Sequence, residues 1–263
     1  INTDNMSILG LTIDYGPYGW VENYDPDWTP NTTDREHRRY RYSNQPACAF
    51  WNLGQLANAI YPLIGEVEPL QQALDVFTQV FGEQWNWMMA QKLGLSHFDP
   101  DQDDGLFAEL LALLQSVETD MTIFFRQLAD VELGKALIED AKVESLIAPL
   151  SDAYYAPEQL TQDYISRLYD WLKRYNQRLL NENIPQEIRR ERMNRVNPNY
   201  VLRNYLAQMA IDKAEQGDFA MISELLELLR HPYDEQSLKQ HYATKRPDWA
   251  RHRAGCSMLS CSS

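Results

Sequence analysis

Apolar residues recur with a helical period over most of the chain after Ala49, and this pattern predicts a mainly α-helical protein. The most regular stretch lies between Glu158 and Asn181, where spacings of three and four residues extend over about six turns. We expect one long helix there, with its apolar residues on a single buried face. Those residues are Leu160, Tyr164, Leu168, Trp171, Tyr175 and Leu179.

Two further helices are predicted towards the end of the chain. Asn197 and Pro198 suit the cap and first turn of one helix, and Gly217 suits its end. Its expected buried residues are Val201, Leu202, Tyr205, Leu206 and Met209. Asp218 suits the cap of the next helix, which the pair His231–Pro232 stops. Its expected buried residues are Phe219, Ile222, Leu225, Leu226 and Leu229.

The start of the chain has a different pattern. Short β-favouring stretches lie on either side of Gly10 in residues 6–14, which predicts a small hairpin. With Leu9 and Gly10 as its two-residue turn, Asn5 faces Asp14 at the open end. Their side chains can then share one ligand.

Residues 15–47 are rich in Gly, Pro, Asn and Asp and show no sustained helical or strand period. Loops longer than about fifteen residues are usually functional or disordered, and the many Tyr and Trp side chains here disfavour disorder. We therefore expect an ordered active-site segment. The predicted organisation is a metal-binding hairpin with an activation-like loop at 1–47, a helical lobe at 48–250 and a flexible, cysteine-containing tail at 251–263.

The composition excludes several classes of protein. A hydrophobic content of 44% with 24% charged residues is typical of a soluble globular chain. The formal net charge of −14 argues against nucleic acid as a partner, because nucleic-acid-binding surfaces are usually basic. No apolar run approaches the roughly 18 residues of a membrane span, and the first residues lack the features of a secretory signal. Three cysteines are too few for a disulfide framework, which favours a reducing compartment.

The opening residues contain candidate catalytic groups. One carboxylate and one amide oxygen are a sufficient protein contribution to a magnesium site, and Asn5 and Asp14 supply that pair. Asp4 can accept the proton of an attacking hydroxyl. Asp14-Tyr15-Gly16 is comparable to the Asp-Phe-Gly turn with which protein kinases hold their metal. From spacing alone, ordinary turn residues are the simpler interpretation.

Other clusters have simple explanations. Four aspartates between residues 99 and 104 resemble a calcium loop, but Leu110 stands where that loop needs a glutamate, so helix capping is favoured. The five histidines show no zinc-like spacing and are interpreted as structural or surface residues. Cys48 is interpreted as buried packing. The run 35–41 is a basic patch that either orients phosphates or an acidic substrate, or is a solvated loop.

Four blocks of sequence carry a resemblance to a known family. The opening NTDNMSILGLTIDYGP resembles the corresponding stretch of the selenoprotein O family nearly letter for letter. The block from Arg39-Tyr40 to Trp51-Asn52-Leu53, the block at 197–208 and the terminal Cys-Ser-Ser are similar to further family blocks. The resemblance covers this chain but not the whole family protein. We expect the chain to be a C-terminal part, which agrees with a first residue other than Met.

The resemblance implies a kinase-like (pseudokinase) fold, here its helical C-lobe, in an enzyme that transfers AMP from ATP to Ser, Thr or Tyr hydroxyls of proteins. It implies Asp4 as the catalytic base and Asn5 and Asp14 as ligands of Mg²⁺, with Mn²⁺ as the alternative. Asp14 and Arg39 are then the nucleotide-binding residues. The family's nucleotide-gripping lysine and arginines lie upstream of this point, so the isolated chain is expected to be inactive. The expected location is cytoplasmic in a bacterium and mitochondrial in a eukaryote.

The resemblance also bears on the tail thiols. Animal members place selenocysteine third from the end, where Cys261 lies, and some bacterial members bridge a tail cysteine to the active-site loop. The loop between Gly16 and Pro46 has no cysteine, and Pro30 occupies the approximate place of the expected partner. This departure argues against a redox switch that uses Cys256 or Cys261.

Two alternatives to AMP transfer stay open. One is a non-catalytic, redox-sensing interaction module, and the other is a kinase-type phosphotransferase. The paired positions of Asp4, Asn5 and Asp14 favour an enzyme over an interaction module. They do not separate attack at the α-phosphate from attack at the γ-phosphate, because one metal site serves both reactions.

Overall fold

The protein is described by a computed structural model, which covers residues 3–9, 19–29, 34, 36–134, 143–253 and 255–256. Within these ranges the chain is mainly α-helical, which confirms the predicted class. The α-helices are α1 (Gln45–Ile64), α2 (Glu68–Lys92), α3 (Pro100–Ser116), α4 (Met121–Leu128), α5 (Val143–Ile147), α6 (Gln162–Glu182), α7 (Gln186–Val196), α8 (Asn204–Glu215) and α9 (Ala220–Arg230).

Extended structure is minimal in the described part of the chain. It consists of two isolated antiparallel bridges, Asn23 with Asp120 and Thr119 with Tyr154. Short 3₁₀ helices at Thr3–Asn5, Tyr42–Asn44, Ala148–Ala153, Pro157–Gln159, Ser237–Ala243 and Asp248–His252 complete the secondary structure. None of the helices in the described ranges combines the length and the apolar character that crossing a lipid bilayer requires.

The chain divides into two compact units, and the division falls within α2. The first unit comprises Ile1–Val21, Asp25–Asn86 and His252–Ser263. The second comprises Glu22–Tyr24 and Trp87–Arg251. Most buried apolar residues belong to the second unit, so the main core lies there.

The long helix α6 confirms the strongest prediction, although it begins at Gln162 rather than near Glu158. Thr161 caps it, because the threonine hydroxyl accepts a hydrogen bond from the backbone N–H of Tyr164 at 3.3 Å. Leu160 precedes the helix, following a short 3₁₀ turn that Pro157 begins. The other predicted face residues are buried, namely Tyr164, Leu168, Trp171, Tyr175 and Leu179.

The predicted start of the next helix was wrong. Asn197 ends α7 instead, with its N–H bonded to the Met193 carbonyl at 2.8 Å. Its buried side chain donates to the Lys92 carbonyl at 2.8 Å and accepts from the Lys92 ammonium at 3.2 Å. A tertiary contact has therefore replaced the local cap. The helix α8 starts at Asn204, so the predicted residues 201 and 202 lie before it.

The predictions for the last two helices were partly right. Gly217, with a φ of 85°, follows the end of α8 as expected, and Asp218 accepts a hydrogen bond from the Ala220 N–H at 3.0 Å. The predicted inward face of α9 was wrong for three of its five residues, whereas Leu225 is buried and Leu229 is partly buried. The exposed fractions of Phe219, Ile222 and Leu226 are 62%, 47% and 54%. The buried residues are Met221, Leu225 and Leu228, because α9 carries apolar residues on more than one side and the pattern alone did not select the correct side.

A buried group of charges joins α3 to α6 in the second unit. Arg178 contacts Asp103 through two nitrogen–oxygen pairs at 2.8 and 3.2 Å, and Glu182 through a third at 2.7 Å. Glu182 also accepts hydrogen bonds from the N–H and hydroxyl of Ser96 at 2.8 and 2.7 Å. Asp99 caps α3 through the Asp101 N–H, which confirms the predicted helix capping, whereas the ion pair of Asp103 with Arg178 was not predicted.

Two arginines connect α4 and α7 reciprocally. The Arg189 guanidinium, carried on α7, donates to the carbonyls of Leu128, Ala129 and Val131 at 2.9 to 3.3 Å, at the end of α4. Arg126, carried on α4, donates to the carbonyls of Asn194 and Asn197 at 2.9 and 3.1 Å, at the end of α7. Each helix thereby caps the C-terminal end of the other, where the helix dipole favours a positive charge.

The backbone of Gly94 lies close to the side chains of Arg189 and Met193. Its φ is 72°, and an added Cβ would lie 2.8 Å from Cγ of Arg189 and 2.9 Å from Cγ of Met193. We expect Gly94→Ala to lower the free energy of unfolding by about 2–4 kcal/mol, through backbone strain and displacement of the arginine. Urea denaturation measures this change.

The matched control for that substitution is Gly217→Ala. Its φ of 85° imposes similar strain, but no heavy atom lies within 4 Å of the added Cβ. We expect a loss of only about 1–2 kcal/mol. Equal losses for the two variants would contradict a steric role for Gly94 beneath Arg189.

The Glu182 contact predicts a pH dependence of stability. Burial acts to raise the pKa of Glu182, but hydrogen bonds from Ser96 and Arg178 outweigh it and hold the pKa below its ordinary value of 4.5. The stabilisation is therefore complete above pH 4.5 and is lost as the pH falls through the lower folded pKa. We expect Glu182→Gln to cost about 1–3 kcal/mol at neutral pH, and progressively less on acidification.

Unfolding of both proteins between neutral and acid pH measures this difference. Glu187→Gln, at an exposed position of α7, is the control and should change stability by no more than about 0.5 kcal/mol at any pH. A cost of Glu182→Gln that stays constant with pH would show that the carboxylate charge is not the stabilising feature.

Candidate active site

The predicted catalytic base lies on a short helical turn at the start of the first unit. Thr3, Asp4 and Asn5 form one 3₁₀ turn, and Asp4 is exposed. A second turn follows at Ile8–Leu9, where the Ser7 hydroxyl accepts a hydrogen bond from the Leu9 N–H at 3.2 Å. The carboxylate of Asp4 is therefore accessible to a substrate hydroxyl.

Of the two predicted metal ligands, only one lies within the described residues. The backbone of Asn5 is described, but Asp14 and the returning arm of the predicted hairpin lie outside the described residues. The hairpin and the pairing of Asn5 with Asp14 therefore stay predictions. Among the described residues, no group of three or more His, Cys, Asp or Glu side chains is placed to hold a metal ion. A magnesium site with an amide and a carboxylate as its protein ligands does not require such a group.

A cleft of about 660 Å³ lies between the Asp4 segment and α1. Thr3, Met6, Ser7 and Ile8 line one side. The α1 side is lined by Trp51, Asn52, Leu53, Gln55, Leu56 and Ala59. The turn that carries Asp4 is thus attached to α1 through its neighbours, while Asp4 itself remains exposed.

Asn52 is the polar group buried in this cleft. The residue is 4% exposed, and its Nδ2 lies 3.0 Å from the sulfur of Met6. Its Oδ1 is buried and accepts no hydrogen bond within the described structure. A buried amide oxygen without a donor is costly, so this position is suited to receive one.

Arg39, the predicted phosphate-binding residue, is exposed and lies over an aromatic ring. Its guanidinium carbon is 4.6 Å from the centroid of Trp51 and 5.7 Å from that of Tyr40. Trp51 also lines the cleft beside the Asp4 segment. Arg39 therefore contacts α1 through Trp51, the same residue that lines the cleft beside the Asp4 segment. The exposed guanidinium carries its charge over the Trp51 ring and is accessible to an anion.

The backbone around Arg39 is held by polar side chains. Asp34 accepts hydrogen bonds from the N–H groups of Arg39 and Tyr40 at 3.0 and 2.7 Å. Asn44 donates to the Arg39 carbonyl and Gln45 donates to the Tyr40 carbonyl, both at 2.5 Å. These contacts order the described part of the predicted active-site segment around Arg39.

A second part of that segment, Glu22–Tyr24, belongs to the second unit. The Glu22 carbonyl accepts from the Met121 N–H and the Tyr24 N–H donates to the Thr119 carbonyl, both at 3.0 Å. The Glu22 carboxylate is buried, and it pairs with Arg246 at 3.0 Å. Burial raises the pKa of Glu22, against the opposing effect of Arg246 and Arg203.

A buried ion pair lies beside Glu22. Asp120 pairs with Arg203 through two contacts at 2.5 and 3.1 Å, and it also caps α4 through the Ile123 N–H at 3.0 Å. The Tyr155 hydroxyl donates to the same carboxylate at 2.8 Å. Glu22, Asp120 and Arg203 thus form one buried group of charges.

The two described thiols are both buried. Cys48 and Cys256 are each 4% exposed, and neither forms a disulfide. The buried position of Cys48 confirms its predicted packing role. Cys261 and the end of the predicted tail lie outside the described residues.

Sequence reasoning did not single out three of these residues. Asp34 accepts hydrogen bonds from backbone N–H groups, and Glu22 pairs with the distant Arg246. Asn52 is buried in the cleft. No sequence motif marks any of these interactions. Asn52 did fall within the matched Trp51-Asn52-Leu53 block, which was the one available signal.

The family match and the similar known proteins indicate the same family. Residues 1–230 match the family described as "Protein adenylyltransferase SelO". The chain is similar to the protein nucleotidyltransferase YdiU of Rhodopirellula baltica, with 57% identity over 267 residues. The YdiU proteins of Aromatoleum aromaticum and Flavobacterium johnsoniae are 55% and 50% identical to it over 263 residues. All of this chain is aligned in each case, but it spans only 48–49% of the relative's length.

The contacts of Asp34 predict a local effect on backbone order. We expect Asp34→Ala to speed hydrogen exchange at the amides of Arg39 and Tyr40 by roughly tenfold or more, because both lose a charged acceptor. Asp25→Ala is the control, since the Asp25 side chain accepts from the Asp27 N–H at 2.9 Å and contacts neither amide. Unchanged exchange at Arg39 and Tyr40 in the Asp34 variant would show that Asp34 does not order this segment.

Proposed function

Because the chain belongs to the SelO family of protein adenylyltransferases, we propose that it is the part of a Mg²⁺-dependent enzyme that presents the base and the metal ligands. The full-length enzyme transfers AMP from ATP to Ser, Thr or Tyr hydroxyls of proteins. The observation that carries this proposal is the exposed carboxylate of Asp4 on a turn whose next residue is Asn5.

The proposed chemistry is a displacement at the α-phosphorus of ATP. Asp4 accepts the proton of the target hydroxyl, and the hydroxyl oxygen forms a bond to the α-phosphorus. The bond from that phosphorus to the bridging oxygen breaks, and pyrophosphate leaves. An exposed base suits this step, because the target is a side chain on the surface of another protein.

Asn5 and Asp14 hold the metal in this proposal. An amide oxygen and a carboxylate are hard ligands that suit Mg²⁺, and they leave its other positions to water and phosphate oxygens. The bound ion supplies charge neutralisation on the phosphates. Asn5 follows Asp4 in the same turn, so the base and one metal ligand are positioned by a single element.

Arg39 is proposed to contact a phosphate group. Its guanidinium lies on Trp51, and the hydrogen bonds of Asp34 and Asn44 hold its backbone. A side chain held in this way loses less conformational entropy when it meets an anion than a free surface arginine does. Arg39 therefore contributes to positioning rather than to proton transfer.

The proposal applies to the protein at the length of its relatives. This chain spans about half of that length, and positioning and charge neutralisation supply most of the catalysis in such transfers. We expect the isolated chain to have no transferase activity. A kinase-type phosphotransferase is the competing reaction, because the same metal site can serve it.

The mass added to a protein distinguishes these reactions. We expect the full-length protein, given ATP and Mg²⁺, to add the mass of an AMP group to itself or to a protein target, as measured by intact-mass spectrometry. Addition of a phosphate mass instead would overturn AMP transfer in favour of the kinase-type reaction.

Substitutions test the residue roles in the same assay. We expect Asp4→Asn to slow the transfer by about 10²–10⁴-fold, because the base is lost. Asp14→Ala should abolish it through loss of a metal ligand. Asp170→Asn, at a side chain that is 58% exposed in the second unit, is the control and should react at the normal rate. Normal activity of either active-site variant would remove that residue from the proposed mechanism.

A further inference from the structure

We propose that α1 and the first-unit part of α2 form one docking surface, which the half of the full-length protein outside this chain covers. The surface comprises the apolar residues of 50–81 and the cleft beside α1. The proposal depends on the family assignment and on the relatives' length, but not on the transfer chemistry.

Burial along these two helices is too low for their apolar content. In α1, only Cys48 and Asn52 are buried, and none of the residues from 53 to 86 is buried. Helices of this length gain most of their stability from a packed apolar face. The large apolar side chains that stay exposed are Phe50, Trp51, Tyr61, Leu63, Ile64, Val67, Val76, Val80 and Phe81.

Ring contacts connect the two helices across this surface. Phe50 of α1 lies 6.1 Å from Phe77 of α2, between ring centroids, and Phe77 lies 6.2 Å from Phe81. Two of these three rings remain more than one-third exposed, at 39% for Phe50 and 41% for Phe81. Apolar patches of this kind on a protein mark an interface.

The cleft beside α1 is part of the same surface. It has a volume of about 660 Å³ and mainly apolar walls, and Asn52 is its buried polar group. The Oδ1 atom of Asn52 lacks a donor within the described structure. A covering segment with apolar side chains and one N–H or O–H donor would fill the cleft and satisfy this oxygen.

The negative charge of this stretch indicates which residues the edge of the covering surface should carry. Between Arg41 and Lys92 the sequence has no Lys or Arg, while Glu66, Glu68, Asp75 and Glu83 give this stretch a net charge of −4. The partner surface is therefore expected to be apolar at its centre and to carry Lys or Arg at its edge. A second copy of this chain would instead bring four more acidic groups to the same interface, and like charges would oppose the pairing.

The remaining half of the full-length protein meets these requirements best. The relatives are about twice as long as this chain. A full-length protein of that size would contain one further part of similar length for each copy of this surface. An intramolecular partner also avoids most of the entropy cost of association, so that this apolar surface stays covered.

Cysteine labelling of the folded full-length protein tests this proposal. Val76, which is 58% exposed in this structure, is replaced by Cys, and Leu226 of α9, which is 54% exposed, is replaced by Cys as the matched control. Maleimide labelling is followed at each site by peptide mass spectrometry, and the rate in urea corrects for intrinsic reactivity. We expect Val76→Cys to react at least roughly tenfold more slowly than Leu226→Cys, because labelling then requires local opening.

Each outcome decides the question when the size of the protein in solution is measured by light scattering. Slow labelling of Val76→Cys in a monomer supports the proposal. Rapid labelling at the rate of the control overturns it, and so does protection that appears only in a dimer, since a second copy is then the occupant. The experiment uses no ATP, so loss of the proposed transferase activity would leave its result unaffected.

Discussion

The reciprocal arginine contacts between α4 and α7 are the interaction on which the second unit depends most. Arg189 is buried and has backbone carbonyls in place of a carboxylate partner. An unpaired guanidinium in such a place would cost several kcal/mol. The carbonyls at a helix end are unsatisfied and lie at the negative end of the dipole, so the arginine and the helix end satisfy each other. Because Arg126 does the same for α7, the two helices fix each other's position.

The sequence predicted the parts of the fold that follow a helical repeat, but not the parts that depend on tertiary contacts. The face of α6 was predictable because five apolar residues at helical spacing meet one core. Asn197 had the local signature of a helix start, but its bonds to Lys92 made it the end of α7. Local propensity contributes about 1 kcal/mol for a cap, and a buried two-way contact outweighs it. Arginines paired with backbone carbonyls leave no trace in the sequence pattern, so the role of Arg189 was not foreseen.

The candidate site was predicted from a continuous motif that contains Asp4, Asn5 and Asp14. The structure describes Asp4 as exposed on a turn, but the roles of the three residues stay predictions. Arg39 was favoured by its matched block, but its position over Trp51 depends on the backbone contacts of Asp34, Asn44 and Gln45. Such contacts arise between residues whose spacing follows no repeat, so only a structure reveals them.

The first unit differs from the second in how far its apolar side chains are buried. The second unit contains the main core and the buried ion pairs of Arg178 and Arg203, although α9 keeps some apolar side chains exposed, whereas α1 buries only Cys48 and Asn52. The cleft that contains Asn52 is lined by the neighbours of Asp4, so whatever fills it also packs against the turn that carries this proposed base. In the proposed arrangement, one contact therefore serves two purposes. It covers the helices that would otherwise be exposed, and it brings the rest of the full-length protein to the turn that carries Asp4, which would couple folding to assembly of the proposed active site.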